Sequence, residues 1–227
     1  MSGPKRKLKN ESVFDVDSVL SVVKPMHAYK LWHRMVRKSK MQFDDEGLSV
    51  EAKEVKEYID EGWSVPKAGI AELNSRFTSM TSKVIETKVS SKGNTTKLLI
   101  EVQDGHLIET VIMQHHNYNT VCISSQIGCK MGCKFCATGT MGIVGNLTAG
   151  EIIEQVVYAN SVRPIRNVVF MGMGEPLNNY DNVRQAVDFL LDARCFNLSV
   201  CSRLMFKGLF LYTFGISFHV EWCIRQL

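Results

Sequence analysis

The sequence predicts an α/β protein: part of a parallel (βα) barrel, or of a doubly wound sheet, preceded by a small helical domain and a β-hairpin. Three observations predict it. A strand–loop–helix pattern occurs twice between residues 120 and 192. Apolar residues before residue 85 recur at helical spacing. Two β-rich runs near residue 100 flank an Asp-Gly dipeptide, a strong turn signal.

In chain order, Ser12 followed by Asp15 resembles a helix start, and Val13, Val16, Val19, Leu20 and Val23 form one apolar face that ends before Pro25. From Met26 to Lys38, Leu31, Trp32, Met35 and Val36 share one side, with Lys30, Arg34, Arg37 and Lys38 around the rest, a basic amphipathic helix. An acidic helix is expected from Ser49 to Glu61, closed by Gly62 to Pro66. Residues 1–90 therefore form a helical accessory domain. Thr96 to Val102 and His106 to Met113 form a hairpin within a linker spanning 91–114. Thr120 to Ser125 reads as a strand, followed by a loop rich in Gly and Cys. A helix opens at Thr148, with Glu151 completing a capping box, and runs to about Asn160. Asn167 to Met171 is a short buried strand, Gly172 to Pro176 a glycine-rich segment, and Asp181 to Asp192 an amphipathic helix. These elements define a core over 115–199, followed by a divergent apolar tail over 200–227.

Composition narrows the function classes. With 227 residues, 45% hydrophobic and 22% charged, the chain can bury a sizeable core and is not a disordered protein. No apolar run reaches the ~18 residues of a membrane span; the longest candidate, Leu204 to Val220, is broken by Lys207. Lys5, Arg6, Lys7 and Lys9 lead into mixed charge rather than into the apolar stretch of a secretion signal. A cytoplasmic protein without a membrane partner is expected, with organellar import left open. Residues 1–40 hold ten Lys and Arg against three acids, whereas the rest holds seventeen against twenty. A basic end of this kind suits a polyanion such as nucleic acid, or is simply a solvated face; charge alone leaves both open.

The cysteines carry the chemistry. None of the seven lies in the first 121 residues, and four fall between Cys122 and Cys136. In a chain without export signals such a cluster points to a metal or catalytic site rather than to disulfides. The segment Cys129-Lys-Met-Gly-Cys133-Lys-Phe-Cys136 places three thiols in one tight loop, with Gly128 and Gly132 allowing the backbone to fold around them. Thiolates suit iron–sulfur clusters or zinc. A structural zinc site wants four ligands, and the only local substitutes, His115 and His116, precede the strand. A cubane held by three cysteines leaves one iron open. Further on, Gly172-Met-Gly174-Glu175-Pro176 lets backbone approach a ligand closely, and Glu175 can accept hydrogen bonds from an ammonium group. Alone, that segment reads as a Gly-Pro turn.

The C-x3-C-x2-C spacing, with Phe135 before the last cysteine, resembles the radical S-adenosylmethionine (SAM) superfamily. Cys122-Ile-Ser-Ser-Gln-Ile-Gly-Cys129, Cys136-Ala-Thr-Gly-Thr-Met-Gly142 and Arg166-Asn-Val-Val-Phe-Met-Gly-Met-Gly-Glu-Pro-Leu-Asn-Asn179 are similar, more narrowly, to RlmN-type dual-specificity RNA methyltransferases. The likeness is dense from Glu109 to Ser199 and compatible through the helical N-terminal region. It implies a partial radical SAM barrel and a [4Fe–4S] cluster on Cys129, Cys133 and Cys136. It implies SAM at the open iron, with Phe135, Gly174 and Glu175 at the cofactor, cleaved to a 5′-deoxyadenosyl radical by an electron from a flavodoxin- or ferredoxin-like donor. The product would be 2-methyladenosine in ribosomal RNA and, as in bacterial members, tRNA, with residues 1–90 as an RNA-binding domain. Glu109 matches the family's proton acceptor, and Cys122 the cysteine that resolves a protein–RNA adduct. From the residues alone, Glu109 is an outward-facing strand residue and Cys122 a small buried hydrophobe.

The resemblance stops after Cys195-Phe-Asn-Leu-Ser199. Cys201 and Cys223 lack the context of the family's methyl-carrying cysteine, and Ser217-Phe-His219 has the wrong flanks for a later SAM-contacting segment. The expectation is therefore a methyltransferase that is truncated and incomplete as written. The alternative is a non-catalytic iron–sulfur or zinc-binding RNA-associated protein.

Overall fold

The computed structural model describes residues 6–38, 42–44, 47–49, 55–59, 66–133, 136, 138–139, 141–196 and 198. Phe135 and the expected tail over 200–227 lie outside the described residues.

The N-terminal third begins with β1 (Glu11–Ser12), α1 (Val16–Val22) and α2 (Pro25–Lys38). Pro25 suits the first turn of α2 because its missing N–H has no helical acceptor there. Then follow β2 (Gln42–Asp44), β3 (Gly47–Ser49), a 3-10 turn over Val55–Tyr58, α3 (Lys67–Arg76) and β4 (Phe77–Thr78). The acidic helix expected from Ser49 to Glu61 is not one helix: Ser49 ends a strand and only the single turn at 55–58 is helical among the described residues. The helix expected to start at Ser12 starts at Val16 instead. Asp15, at its N-cap, makes no side-chain hydrogen bond to the helix: one carboxylate oxygen accepts from the Gly150 N–H at 2.7 Å and the other from the Ser12 N–H at 3.1 Å.

The central feature is a five-stranded mixed sheet formed by β5 (Lys83–Val89), β6 (Thr95–Glu101), β7 (Leu107–Gln114), β8 (Asn119–Cys122) and, after three intervening elements, β11 (Asn167–Val169), in the order β11-β8-β7-β6-β5. The first four strands run antiparallel, and β11 joins β8 in parallel with Val169 opposite Cys122. The hairpin expected over 91–114 is thus the middle of a larger sheet, and the division expected at residue 90 falls in the turn between β5 and β6. The extra strand was hidden because β5 is an edge strand exposed along most of both faces, so its sequence lacks the apolar alternation seen in β6.

Between β8 and β11 lie the hairpin β9 (Gln126–Cys129) and β10 (Gly142–Asn146), then α4 (Ala149–Val162). The capping box read from Thr148 and Glu151 is formed in full at the start of α4. A 3-10 turn (Pro176–Asn179) and α5 (Tyr180–Leu191) complete the second strand–loop–helix unit. One face of the sheet, carrying Leu98, Ile100, Ile108, Ile112 and Val121, packs toward α4 and is almost fully buried. The core runs on without a break into the N-terminal helices: Trp32 of α2 meets Phe189 of α5 edge-on at 5.1 Å, and its indole N–H donates to the Val13 carbonyl at 2.7 Å. Among the described residues no helix is long and apolar enough to cross a membrane.

Candidate functional site

Two segments meet where β8 and β11 end. The parallel pairing continues past the strands as an irregular ladder. Ile123 N–H donates to Val169 O, Gly172 N–H to Ile123 O, and the N–H groups of Ser125 and Gln126 both donate to Met173 O, all within 2.9–3.2 Å. This lays Gly172–Glu175 along the stalk of the cysteine loop. Glycine is required at both contact points. A Cβ on Gly172 would stand 2.7 Å from Ser124 Oγ, and one on Gly174, whose φ is +96°, 2.5 Å from Gln126 Cβ.

Cys129 ends β9 and is buried, while Cys133 and Cys136 are half-buried in the loop that follows. Gly128 at φ +74° lets the hairpin close, since a Cβ there would sit 2.1 Å from Gly142 O. Cys136 N–H donates to Cys133 O and Gly139 N–H to Cys136 O, so the loop winds through two tight turns. Thr138 Oγ1 lies 3.1 Å from Cys136 Sγ, and that hydrogen bond outweighs desolvation and lowers the thiol's pKa below its usual value. The five described cysteines form no disulfide.

Among the described residues, no three His, Cys, Asp or Glu side chains stand close enough to hold a metal ion. The thiols are brought to one loop but not to one point. Three soft thiolates in one loop are the donor type of an iron–sulfur cluster, in which each cysteine takes a different iron. Just ahead of β9, Ser125 Oγ is buried without a hydrogen-bond partner.

Glu175 lies in the segment beside the loop, where Leu177 N–H donates to its Oε1 at 3.1 Å. Asn178 Nδ2 reaches Met131 Sδ in the cysteine loop at 3.7 Å, so the loop and the turn after Glu175 are in contact. Glu109 and Cys122 lie on the sheet face turned away from α4. Thr110 faces the helix, donating to Gln155 Oε1 at 2.9 Å, so its neighbours Glu109 and Val111 face the other way. Val111 pairs with Cys122 across the ladder, which puts Cys122 on that same open face, half-buried. Glu109 is paired there with Lys97 at 2.7 Å, and this hydrogen bond raises the lysine's pKa.

Sequence reasoning missed the polar residues that hold these parts together. Ser124 Oγ donates to Glu109 O and accepts from Met173 N–H. Asn179 donates to both Ser125 O and Leu147 O at 2.8 Å. Gln155 accepts from Ser124 N–H and donates to Ser124 O. Their signal was present, since fully buried amides and hydroxyls in otherwise apolar elements need partners, but the partners lie tens of residues away.

The N-terminal segment docks on the same scaffold. Arg6 is almost wholly buried between Asp104, at 2.6 Å, and Glu151, at 2.6 Å. Burial works against its charge, but the hydrogen bonds and charges of the two carboxylates outweigh burial and raise its pKa. Glu154 of α4 is fully buried and accepts from Ser12 Oγ at 2.6 Å, from Thr81 N–H at 2.9 Å and from Ser82 N–H at 3.0 Å. Desolvation exceeds the effect of these donors and pushes its pKa up to about 7.

The radical SAM superfamily model matches residues 123–222. A probable dual-specificity RNA methyltransferase RlmN of Pseudothermotoga lettingae is 46% identical over 130 residues, covering 56% of this chain and 38% of that protein. Dual-specificity RNA methyltransferase RlmN 1 of Myxococcus xanthus is 41% identical over 176 residues, covering 74% of this chain and 44% of that protein. The crystal structure of a radical SAM methyltransferase from Sphaerobacter thermophilus is similar with a TM-score of 0.64 and 31% identity, over 84% of this chain and 53% of that one. The chain thus spans about half or less of the length of the relatives it matches.

Proposed function

The chain belongs to the RlmN-type family of radical SAM proteins, and on that premise we propose that it methylates carbon 2 of adenine in RNA. The observation that carries the reading is the meeting of the cysteine loop with Gly172–Glu175 through the ladder of Ser124, Ser125, Gln126 and Met173. Cys129, Cys133 and Cys136 would hold the [4Fe–4S] cluster. When bound, cluster and SAM together would supply a carbon-centred radical where β8 and β11 end. Gly174 lets the backbone come close to the methionine part of SAM, and the Glu175 carboxylate accepts from its ammonium group. Phe135 is assigned to the same cofactor by its place in the motif.

The open face of the sheet carries the residues for the RNA side of the reaction. Glu109 is proposed to take the proton from adenine C2, with the Lys97 ammonium 2.7 Å from its carboxylate. Cys122, one strand away, is proposed to resolve the protein–RNA adduct: its sulfur would form a disulfide with the family's methyl-carrying cysteine, for which this chain has no assigned residue, as that cysteine's bond to the methylated adenine breaks. Helix α2 and the basic N-terminal segment offer phosphate contacts. The electron is proposed to come from a flavodoxin- or ferredoxin-like protein, and the proposed compartment is the cytoplasm, where thiols stay reduced.

Anaerobic reconstitution with iron and sulfide, followed by addition of SAM, tests the reading. A cluster spectrum that shifts on adding SAM is expected, and a chimera that carries the family's C-terminal half in place of residues 200–227 is expected to form 2-methyladenosine in RNA. Tight zinc binding with no response to SAM would replace it with a non-catalytic metal-binding role.

A further inference from the structure

We infer that Gln126 is the positioning residue that fixes Gly174 and Glu175 against the cysteine-bearing strand. The inference rests on the reading of Gly174–Glu175 as the subsite for the SAM ammonium group. Gln126 is fully buried and opens β9, three residues before Cys129. A buried primary amide is costly unless both of its ends are satisfied. Here both are: Oε1 accepts from Glu175 N–H at 2.9 Å, and Nε2 donates to Asn146 Oδ1 at 2.7 Å. A backbone N–H can only donate, so the Glu175 contact fixes which end of the amide points where.

The rest of the residue is used as well. Its own N–H donates to Met173 O at 3.2 Å. Its Cβ and Cγ lie where a Cβ on Gly174 would come within 2.5 and 2.7 Å, so side chain and glycine backbone touch with nothing between them. Gln126 therefore grips three consecutive residues from the strand that leads to the first cluster cysteine, Met173 through its backbone and Gly174 and Glu175 through its side chain. An apolar residue would fill this buried position without any need for partners, so the amide's selection points to the grip rather than to packing.

Asn146, the far end of the clamp, is itself held. It pairs with Gln126 across β9 and β10, its Nδ2 reaches Asn178 O at 3.4 Å, and its carbonyl accepts from Arg6 at 3.1 Å. The clamp is thus tied to the docked N-terminal segment. Gln126 acts through Glu175: it sets how far the ammonium acceptor stands from Cys129, a separation in which small errors weaken binding steeply.

The test uses the whole chain, reconstituted anaerobically, as Gln126→Leu and Gln126→Glu. Three quantities are read: iron content, SAM affinity by equilibrium dialysis, and amide hydrogen exchange over residues 172–177 in the chain without iron or SAM. Gln126→Leu is expected to keep its iron, expose the Glu175 amide to faster exchange, and weaken SAM binding roughly tenfold or more, the consequence of a lost buried hydrogen bond. Gln126→Glu keeps an acceptor for Glu175 N–H and so should restore most of the protection and part of the affinity. Leu-variant binding within about twofold of the unaltered chain, or unchanged Glu175 exchange, overturns the inference. Should the Leu variant not fold, Asn146→Ala, which frees the Nε2 end of the clamp, is read instead, and unaltered Glu175 exchange and SAM affinity in that variant overturn the inference. If the unaltered, iron-loaded chain binds no SAM, the subsite reading falls, and the exchange measurement alone then decides the clamp.

Discussion

Replacing Arg6 by Met should destabilise the chain by about 3 kcal/mol. Arg6 makes five hydrogen bonds: two to Asp104, two to Glu151 and one to Asn146 O. The side chains of Arg6, Asp104 and Glu151 are 4%, 17% and 0% exposed. Methionine fills most of the volume but leaves two carboxylates without their cation. Breaking a buried pair from one side costs about 3–5 kcal/mol. The lower end applies here, because Glu151 keeps the Thr148 N–H at 3.0 Å and the favourable end of α4, and Asp104 retains some water. Against a total stability of about 5–15 kcal/mol this is a large loss. With an m-value of about 2 kcal/mol/M it moves the urea midpoint down by about 1.5 M, read by circular dichroism. The companion variant, Arg6→Met with Asp104→Asn and Glu151→Gln, should recover much of the loss, since the cost lies in the stranded charge. A single-variant loss below about 1 kcal/mol, or no recovery in the triple variant, would refute the docking of the N-terminal segment on α4.

Replacing Cys129, Cys133 or Cys136 singly by Ala should abolish the iron–sulfur absorbance after reconstitution, while Cys122→Ala should retain it; the reverse pattern would reassign the ligands. Glu154 has its folded pKa raised to about 7, above its unfolded value. Its contribution to stability is therefore fully present below the unfolded value and lost as the pH rises through about 7. Glu154→Gln should flatten the dependence of the urea midpoint on pH across that window, and an unchanged slope would show that the carboxylate stays ionised among its donors. Gly128→Ala should prevent the β9–β10 hairpin from closing, because the added Cβ meets Gly142 O at 2.1 Å; the expected result is loss of iron binding together with a lowered thermal midpoint. Changing Arg34, Arg37 and Lys38 together to Gln should weaken RNA binding and flatten its salt dependence by up to about three charges' worth of slope, and an unaltered slope would return α2 to the role of a solvated face.

The sequence by itself determined the elements whose signals are local. The capping box at Thr148 and Glu151, the basic helix after Pro25 and the Asp-Gly turn at 104–105 depend on residues within one or two turns of each other. The cysteine spacing was equally legible, because three thiols in eight residues need no tertiary partner to be recognised. What only the tertiary structure decided depends on residues far apart in the chain. Strand β5 is invisible in sequence because an edge strand exposed on both faces has no reason to alternate. Asp15 looks like part of a helix cap, but its two oxygens are taken by the Ser12 N–H and, from α4, by the Gly150 N–H, which the sequence around α1 does not show. Glu109 and Cys122 became neighbours on one face only when the β7–β8 register was set, and a one-residue slip would have sent Cys122 into the core. Gln126 reads as the start of a loop rich in Gly and Cys until Gly174, forty-eight positions later, arrives against its side chain. A buried amide announces that it needs partners; only the folded chain says which ones, because hydrogen bonds across the sheet are fixed by geometry and leave no periodic trace in the sequence.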